Sequence, residues 1–123
     1  MKIYISHARN FNYIDELYKP LKESRLPAEF IFPHEEGAAP FNSKDLFQNH
    51  KVDYVLAEVS APATGQGIEL GWADIYNIPI ICIYKKGTNP AGSLNVITNT
   101  IVEYENLTDL INKFAKQFGL NLA

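Results

Sequence analysis

Glu69 is the residue of this chain whose setting most invites chemistry. It closes the run Gly65-Gln-Gly-Ile-Glu69, and Leu70 and Gly71 follow it. Two glycines two apart let the backbone turn tightly and let a ligand come close. Where a helix is due to begin, such a loop leaves backbone N–H groups facing a cleft. The spacing predicts Glu69 in the first turn of that helix, whose positive end favours an ionised carboxylate. A carboxylate held that way can attack an electrophilic carbon. From position alone the plainer reading, a solvated first-turn glutamate, carries more weight. A dinucleotide loop fits poorly: the third glycine of the Rossmann spacing is missing, and the loop follows the third predicted strand, not the first. No metal site is read. His34, Glu35 and Glu36 are adjacent with no spaced third ligand, and the single cysteine, Cys82, excludes a multi-cysteine zinc site or an internal disulfide.

The elements that must position Glu69 follow from the apolar pattern. Ile3 to Ser6 reads as a first strand. Residues 12–25 read as a helix with Asn12 as N-cap, Ile14, Leu17, Tyr18 and Leu21 on one face, and a bend at Pro20. Glu29 to Phe32 is a second strand. A loop from Gly37 to Ser43 follows, with Ser43 capping a short helix through Asp45, Leu46 and Phe47. Val52 to Val59 is a near-continuous apolar strand, as is Pro79 to Tyr84. Between them a loop, Ser60 to Gly67, leads into a helix carrying Ile68, Trp72 and Ile75, with Trp72 expected in the core. Ile101 to Tyr104 is the last strand. Asn106 caps a final helix with Leu107, Leu110, Ile111, Phe114 and Phe118 on one stripe, ended by Gly119.

Five strands alternating with helices predict an α/β fold: a single doubly wound, Rossmann-like (flavodoxin-type) five-stranded parallel sheet with helices on both faces. Such sheets bind ligands beyond the carboxyl ends of their strands. The segments to watch are therefore Ser6 to Asn10, Phe32 to Asp45, Ser60 to Glu69 and Tyr84 to Asn95. The 123 residues are read as one domain, 1–123. A net charge of −3 argues against long nucleic acid as a partner. No apolar run is long enough to span a membrane, and Lys2 to Ile5 is already strand-like, so no signal peptide is read and a cytoplasmic location is expected.

Taken whole, Asp53-Tyr-Val-Leu-Ala-Glu-Val-Ser60, then Pro62, then Gly65-Gln-Gly-Ile-Glu-Leu-Gly-Trp-Ala73 resembles the nucleoside 2-deoxyribosyltransferase superfamily, which includes the 2′-deoxynucleoside 5′-monophosphate N-hydrolases. The apolar strand and lysine pair Ile80-Ile-Cys-Ile-Tyr-Lys-Lys86 fit as well. The resemblance is strongest from Asp45 to Tyr84 and thin after Asn95. It implies that Glu69 is the nucleophile, attacking the anomeric carbon to form a glycosyl-enzyme intermediate. It implies that Asp45 is a second carboxylate, holding a sugar hydroxyl or protonating the leaving base. Two such carboxylates are the logic of retaining glycoside cleavage. The first loop, Ser6-His7-Ala8-Arg9-Asn10, would contact substrate. Arg9 matches an arginine of the phosphate-handling members, whereas His7 stands where they carry serine, and the flanking glycines are absent. Thr64, Gly65 and Gly67 would line the substrate loop, with Ala63 in place of a serine. Ser93, or else Asn95, would reach the site of a neighbouring subunit, implying a homodimer or higher oligomer with shared sites. No cofactor is implied.

The resemblance leaves the outcome open. The sugar passes either to another base, the transferase reading put first, or to water, as in hydrolysis of 2′-deoxynucleoside 5′-monophosphates. The opening Lys2-Ile-Tyr-Ile-Ser-His7 also resembles TIR domains, which can cleave the N-glycosidic bond of NAD. A module that binds nucleotides without catalysis is the further alternative. Glu58, late in an apolar strand, is read as structural or orienting.

Overall fold

The computed structural model describes residues 1–35 and 41–120. Most of the loop expected between Gly37 and Ser43 lies outside the described residues. The elements run β1 (Lys2–His7), a π-helical turn (Ile14–Tyr18) leading into α1 (Lys19–Glu23), β2 (Glu29–Ile31), α2 (Ser43–Gln48), β3 (Tyr54–Glu58), α3 (Thr64–Ile75), β4 (Ile80–Lys85), α4 (Leu94–Ile97), β5 (Ile101–Tyr104) and α5 (Leu107–Gln117). All pairings are parallel, in the order β2-β1-β3-β4-β5. The doubly wound reading is borne out, and the strand order reverses between β1 and β3, where such sheets take their ligands.

Alternation along the strands divides the core between two faces. Ile3, Ile5, Leu56 and Ile83 pack under α1 and α5 through Leu21, Leu110 and Phe114. Tyr4, Val55, Ala57 and Cys82 pack under α2 and α3 through Phe47, Leu70 and Ala73. Asn106 caps α5 as expected, its side-chain oxygen accepting from the Asp109 N–H at 2.9 Å. Gly119 follows α5 at φ +63°, a conformation glycine adopts without strain.

Three local expectations are corrected. The helix expected over 12–25 is split between two registers. Pro20 has no N–H to give, and just before it the Lys19 N–H reaches back to the Ile14 carbonyl, closing a π turn. Proline then falls in the first turn of α1, where a missing N–H costs nothing. The change of register leaves Ile14 54% exposed, off the apolar face. Asn12 is not the cap either: Tyr13 holds that position without a side-chain bond, while the Asn12 carbonyl accepts from the Glu16 N–H and its side-chain amide donates to Asp15 Oδ2 at 3.5 Å. Secondly, α3 starts at Thr64, so Gly65 and Gly67 lie inside a helix and not in a loop. Thirdly, Ser43 is the first residue of α2, and the cap is Asn42, whose side chain accepts from the Asp45 N–H at 3.2 Å. The short α4 was not expected. Its four residues are too few to show a period, although Leu94 and Ile97 pack half-buried against the cluster of Leu70 and Ala73. Among the described residues no helix is long and apolar enough to cross a membrane.

Candidate active site

The carboxyl ends of β1, β2 and β3 open into one cavity of about 510 Å³, within the range usual for small-molecule sites. Three of the four expected segments meet there: His7 at the end of β1 with Arg9 beyond it, His34 after β2 with Ser43 at the start of α2, and Pro62, Ala63, Gly65, Gln66, Ile68 and Glu69 after β3. The fourth does not reach it. Ser93 lines a separate hollow of about 330 Å³ together with Thr64 and Gly67. Asn95 is exposed and donates to the Gly92 carbonyl.

Glu69 stands in the second turn of α3, so the expected placement in the first turn is corrected, and with it the helix-end argument for its charge. Its carboxylate is oriented by side chains instead. The Tyr4 hydroxyl donates to Oε2 at 2.7 Å and the Ser43 hydroxyl donates to the same oxygen at 2.6 Å. Both donors are buried. Burial, and next the Glu69 charge, push the Tyr4 phenol far above its ordinary value, so it remains a donor. Among the described residues these bonds all fall on Oε2, which leaves Oε1 available to react.

Asp45 is not brought to this point. It lies on the exposed side of α2, with Oδ1 accepting from the Asn49 side chain at 3.0 Å, and it does not line the cavity. Ser6 is fully buried beneath the site, its hydroxyl without a partner among the described residues. His7 forms part of the wall, with both ring nitrogens engaged: Nδ1 with the Ala8 carbonyl at 3.0 Å and Nε2 with the Tyr18 hydroxyl at 2.5 Å. Burial lowers its pKa to about 4, with His34 and Arg9 adding to the effect, so the ring is neutral near pH 7. His34 is shifted downward as well, by burial and then by Arg9. Gly65 lines the cavity, and among the described residues a Cβ there would meet nothing within 4 Å. Gly65 and Gly67 are therefore not required for close packing against the described residues.

Trp72 is corrected from core to cavity wall: it is half-buried, with one side against the Leu70 and Ala73 cluster and another on the cavity. Glu58 holds the loop before α3. Its Oε1 accepts from the Ser60 N–H at 2.6 Å, its Oε2 accepts from the Tyr104 hydroxyl, and its carbonyl accepts from Gln66 at 2.9 Å. The orienting role expected for it is what the structure shows. Among the described residues no group of three His, Cys, Asp or Glu side chains could hold a metal ion.

No protein-family model matches the chain. A Syntrophotalea carbinolica protein named "Putative 2′-deoxynucleoside 5′-phosphate N-hydrolase 1" is 33% identical over 78 residues, covering 61% of this chain and 55% of that protein. The match thus spans about half the length of that relative. The Clostridium botulinum CMP N-glycosidase BcmB superposes with a TM-score of 0.62 at 20% identity, over 93% of this chain and 98% of its own. At that identity it speaks for the fold. The first relative is named as a member of the hydrolase group to which the resemblance points, and the second agrees with the doubly wound fold.

Proposed function

We propose, from the resemblance to the nucleoside 2-deoxyribosyltransferase superfamily, that this chain cleaves the N-glycosidic bond of nucleoside 5′-monophosphates or nucleosides, with Glu69 as nucleophile. The observation that carries the reading is the pair of buried hydroxyls on Glu69 Oε2. They fix the carboxylate and leave Oε1 to attack the anomeric carbon. The C–N bond breaks with its electron pair going to the base, which takes up a proton and departs. A glycosyl ester on Glu69 remains. Water then resolves the ester. The names of both relatives, a hydrolase and a glycosidase, favour water over an acceptor base. Arg9, on the cavity, offers charge-assisted hydrogen bonds to a 5′-phosphate.

The cavity has an apolar outer rim. Phe41 and Ile68 are 39% and 52% exposed, and Ile75, one turn past Trp72 on α3, is 74% exposed. A second copy of the chain laid on this face would close the site, and Ser93 or Asn95 would then belong to a shared one.

The test is release of free base, followed by chromatography, from deoxynucleoside monophosphates, deoxynucleosides, ribonucleotides and NAD, each with and without an acceptor base. Wild type is expected to release base from monophosphates and form no new nucleoside, and Glu69→Ala is expected to release none. New nucleoside with acceptor would make it a transferase. Release from NAD alone would favour the TIR-like reading. No release from any substrate would sink the enzyme and leave a binding module. Asp45→Asn tests the second carboxylate: standing outside the cavity lining, it is expected to cost less than about tenfold in kcat.

A further inference from the structure

We propose that Tyr18, which stands behind the cavity and not in it, is a positioning residue for the wall made by His7 and His34, and that substrate affinity depends on it. The affinity part rests on the function proposed above. Tyr18 is the last residue of the π turn and is buried. Its hydroxyl makes two bonds at once. One goes to His7 Nε2 at 2.5 Å, and the other is accepted from the His34 backbone N–H at 3.2 Å. The direction of the first bond is fixed by chemistry. His7 Nδ1 faces a carbonyl, which can only accept, so Nδ1 carries the proton. Nε2 of the neutral ring must then accept, and Tyr18 donates. One hydroxyl therefore ties the end of β1 to the segment after β2. Both His7 and His34 face the cavity that holds Glu69. The His7 ring is backed by Tyr13, stacked at 4.1 Å and 19°, and Tyr18 by Phe32 at 4.6 Å, so the clamp has little lateral play. Burial holds the Tyr18 phenol well above its ordinary value, against the smaller opposing pull of the His34 N–H, so the donor persists at working pH.

Tyr18→Phe removes the hydroxyl and keeps the ring. In the ligand-free protein, imidazole ¹⁵N spectra are expected to show His7 as the Nδ1–H tautomer in both wild type and variant, because the Ala8 carbonyl is kept, with the Nε2 resonance moved in the variant to that of an acceptor without its donor. Exchange of the His34 amide is expected to be about tenfold faster. With monophosphate substrate, KM is expected to rise about tenfold while kcat changes less than about threefold. His7→Phe, a flat ring without an acceptor, should raise KM similarly, and the double variant should be no worse than either single one. An unchanged His7 Nε2 resonance and His34 amide in Tyr18→Phe would overturn the clamp. A loosened clamp with unchanged KM would overturn its role in affinity. If wild type releases base from no substrate, the functional reading fails, and the two ligand-free spectra judge the clamp alone.

Discussion

Tyr4 and Ser43 place two hydroxyls on one oxygen of Glu69, and removing them one at a time measures what that orientation is worth. A hydrogen bond to a charged group contributes about 1.5–3 kcal/mol, so Tyr4→Phe and Ser43→Ala are each expected to lower kcat about 10- to 100-fold in the base-release assay. Both should leave KM nearly unchanged if the bonds matter most as Oε1 attacks; a rise in KM alone would show that they only shape the pocket. Glu69 itself was legible in the sequence because its motif is local, from Gly65 to Gly71. Its two partners were not. Tyr4 lies 65 residues away on β1, where an aromatic flanked by isoleucines reads as core. It is core, apart from the hydroxyl at its tip. Ser43 read as a cap because it precedes the pair Leu46 and Phe47; Asn42 takes the cap and frees the serine hydroxyl for Glu69. His7 was expected to meet substrate. It does line the cavity, but with both nitrogens engaged it presents a ring and no polar atom, a fact that depends on Tyr18 and is invisible in the loop sequence.

Elements read most reliably where side chain and backbone signals coincide. Asn106 and Gly119 bracket α5 as the sequence suggests, because a cap and a left-handed glycine are local devices. Asn106→Ala is expected to cost about 1 kcal/mol and to lower Tm by about 3–5 °C in calorimetry, with activity unchanged. A Tm within 1 °C of wild type, roughly a quarter of a kcal/mol by the same scaling, would mean that packing of Leu110 and Phe114 alone fixes that end. The start of α3 was misread for the opposite reason. Two glycines at Gly65 and Gly67 disfavour a helix by about 1 kcal/mol each. Tertiary contacts offset this: Gln66, between them, is buried and donates to the Glu58 carbonyl, and Leu70 and Ala73 are buried against the sheet. None of those contacts can be seen from a window of the sequence. Pro20 marked a disturbance correctly, but whether a proline bends a helix or shifts its register depends on the carbonyls behind it, and here the Ile14 carbonyl finds the Lys19 N–H.

At the scale of the whole molecule, the buried imidazole links stability to pH. His7 takes up its proton near pH 4 in the folded chain and near 6.5 when unfolded. Between these values the unfolded state binds more protons, so stability falls as pH drops through that window, by up to about 3 kcal/mol, and the term changes no further below it. Urea unfolding at pH 7 and pH 4.5 should show a larger loss for wild type than for His7→Gln; equal losses would place the acid sensitivity on other groups, His34 among them, which is shifted the same way. The proposed assembly is tested at the same scale. The exposed apolar residues of α3 adjoin the cavity, so a second copy laid on them would remove apolar surface from water and narrow the access to Glu69 together. Ile75→Asp separates the two effects, because Ile75 is 74% exposed and does not line the cavity. If the face joins two copies, a buried unpaired carboxylate on each side should shift sedimentation from dimer to monomer, and base release should fall with it while the folded state of each chain is kept. Recovery of activity at high protein concentration would show that assembly, and not the substitution, limits the reaction. A wild type that sediments as a monomer at working concentration, fully active, would instead mean that Phe41, Ile68 and Trp72 close over the substrate without help from a second copy.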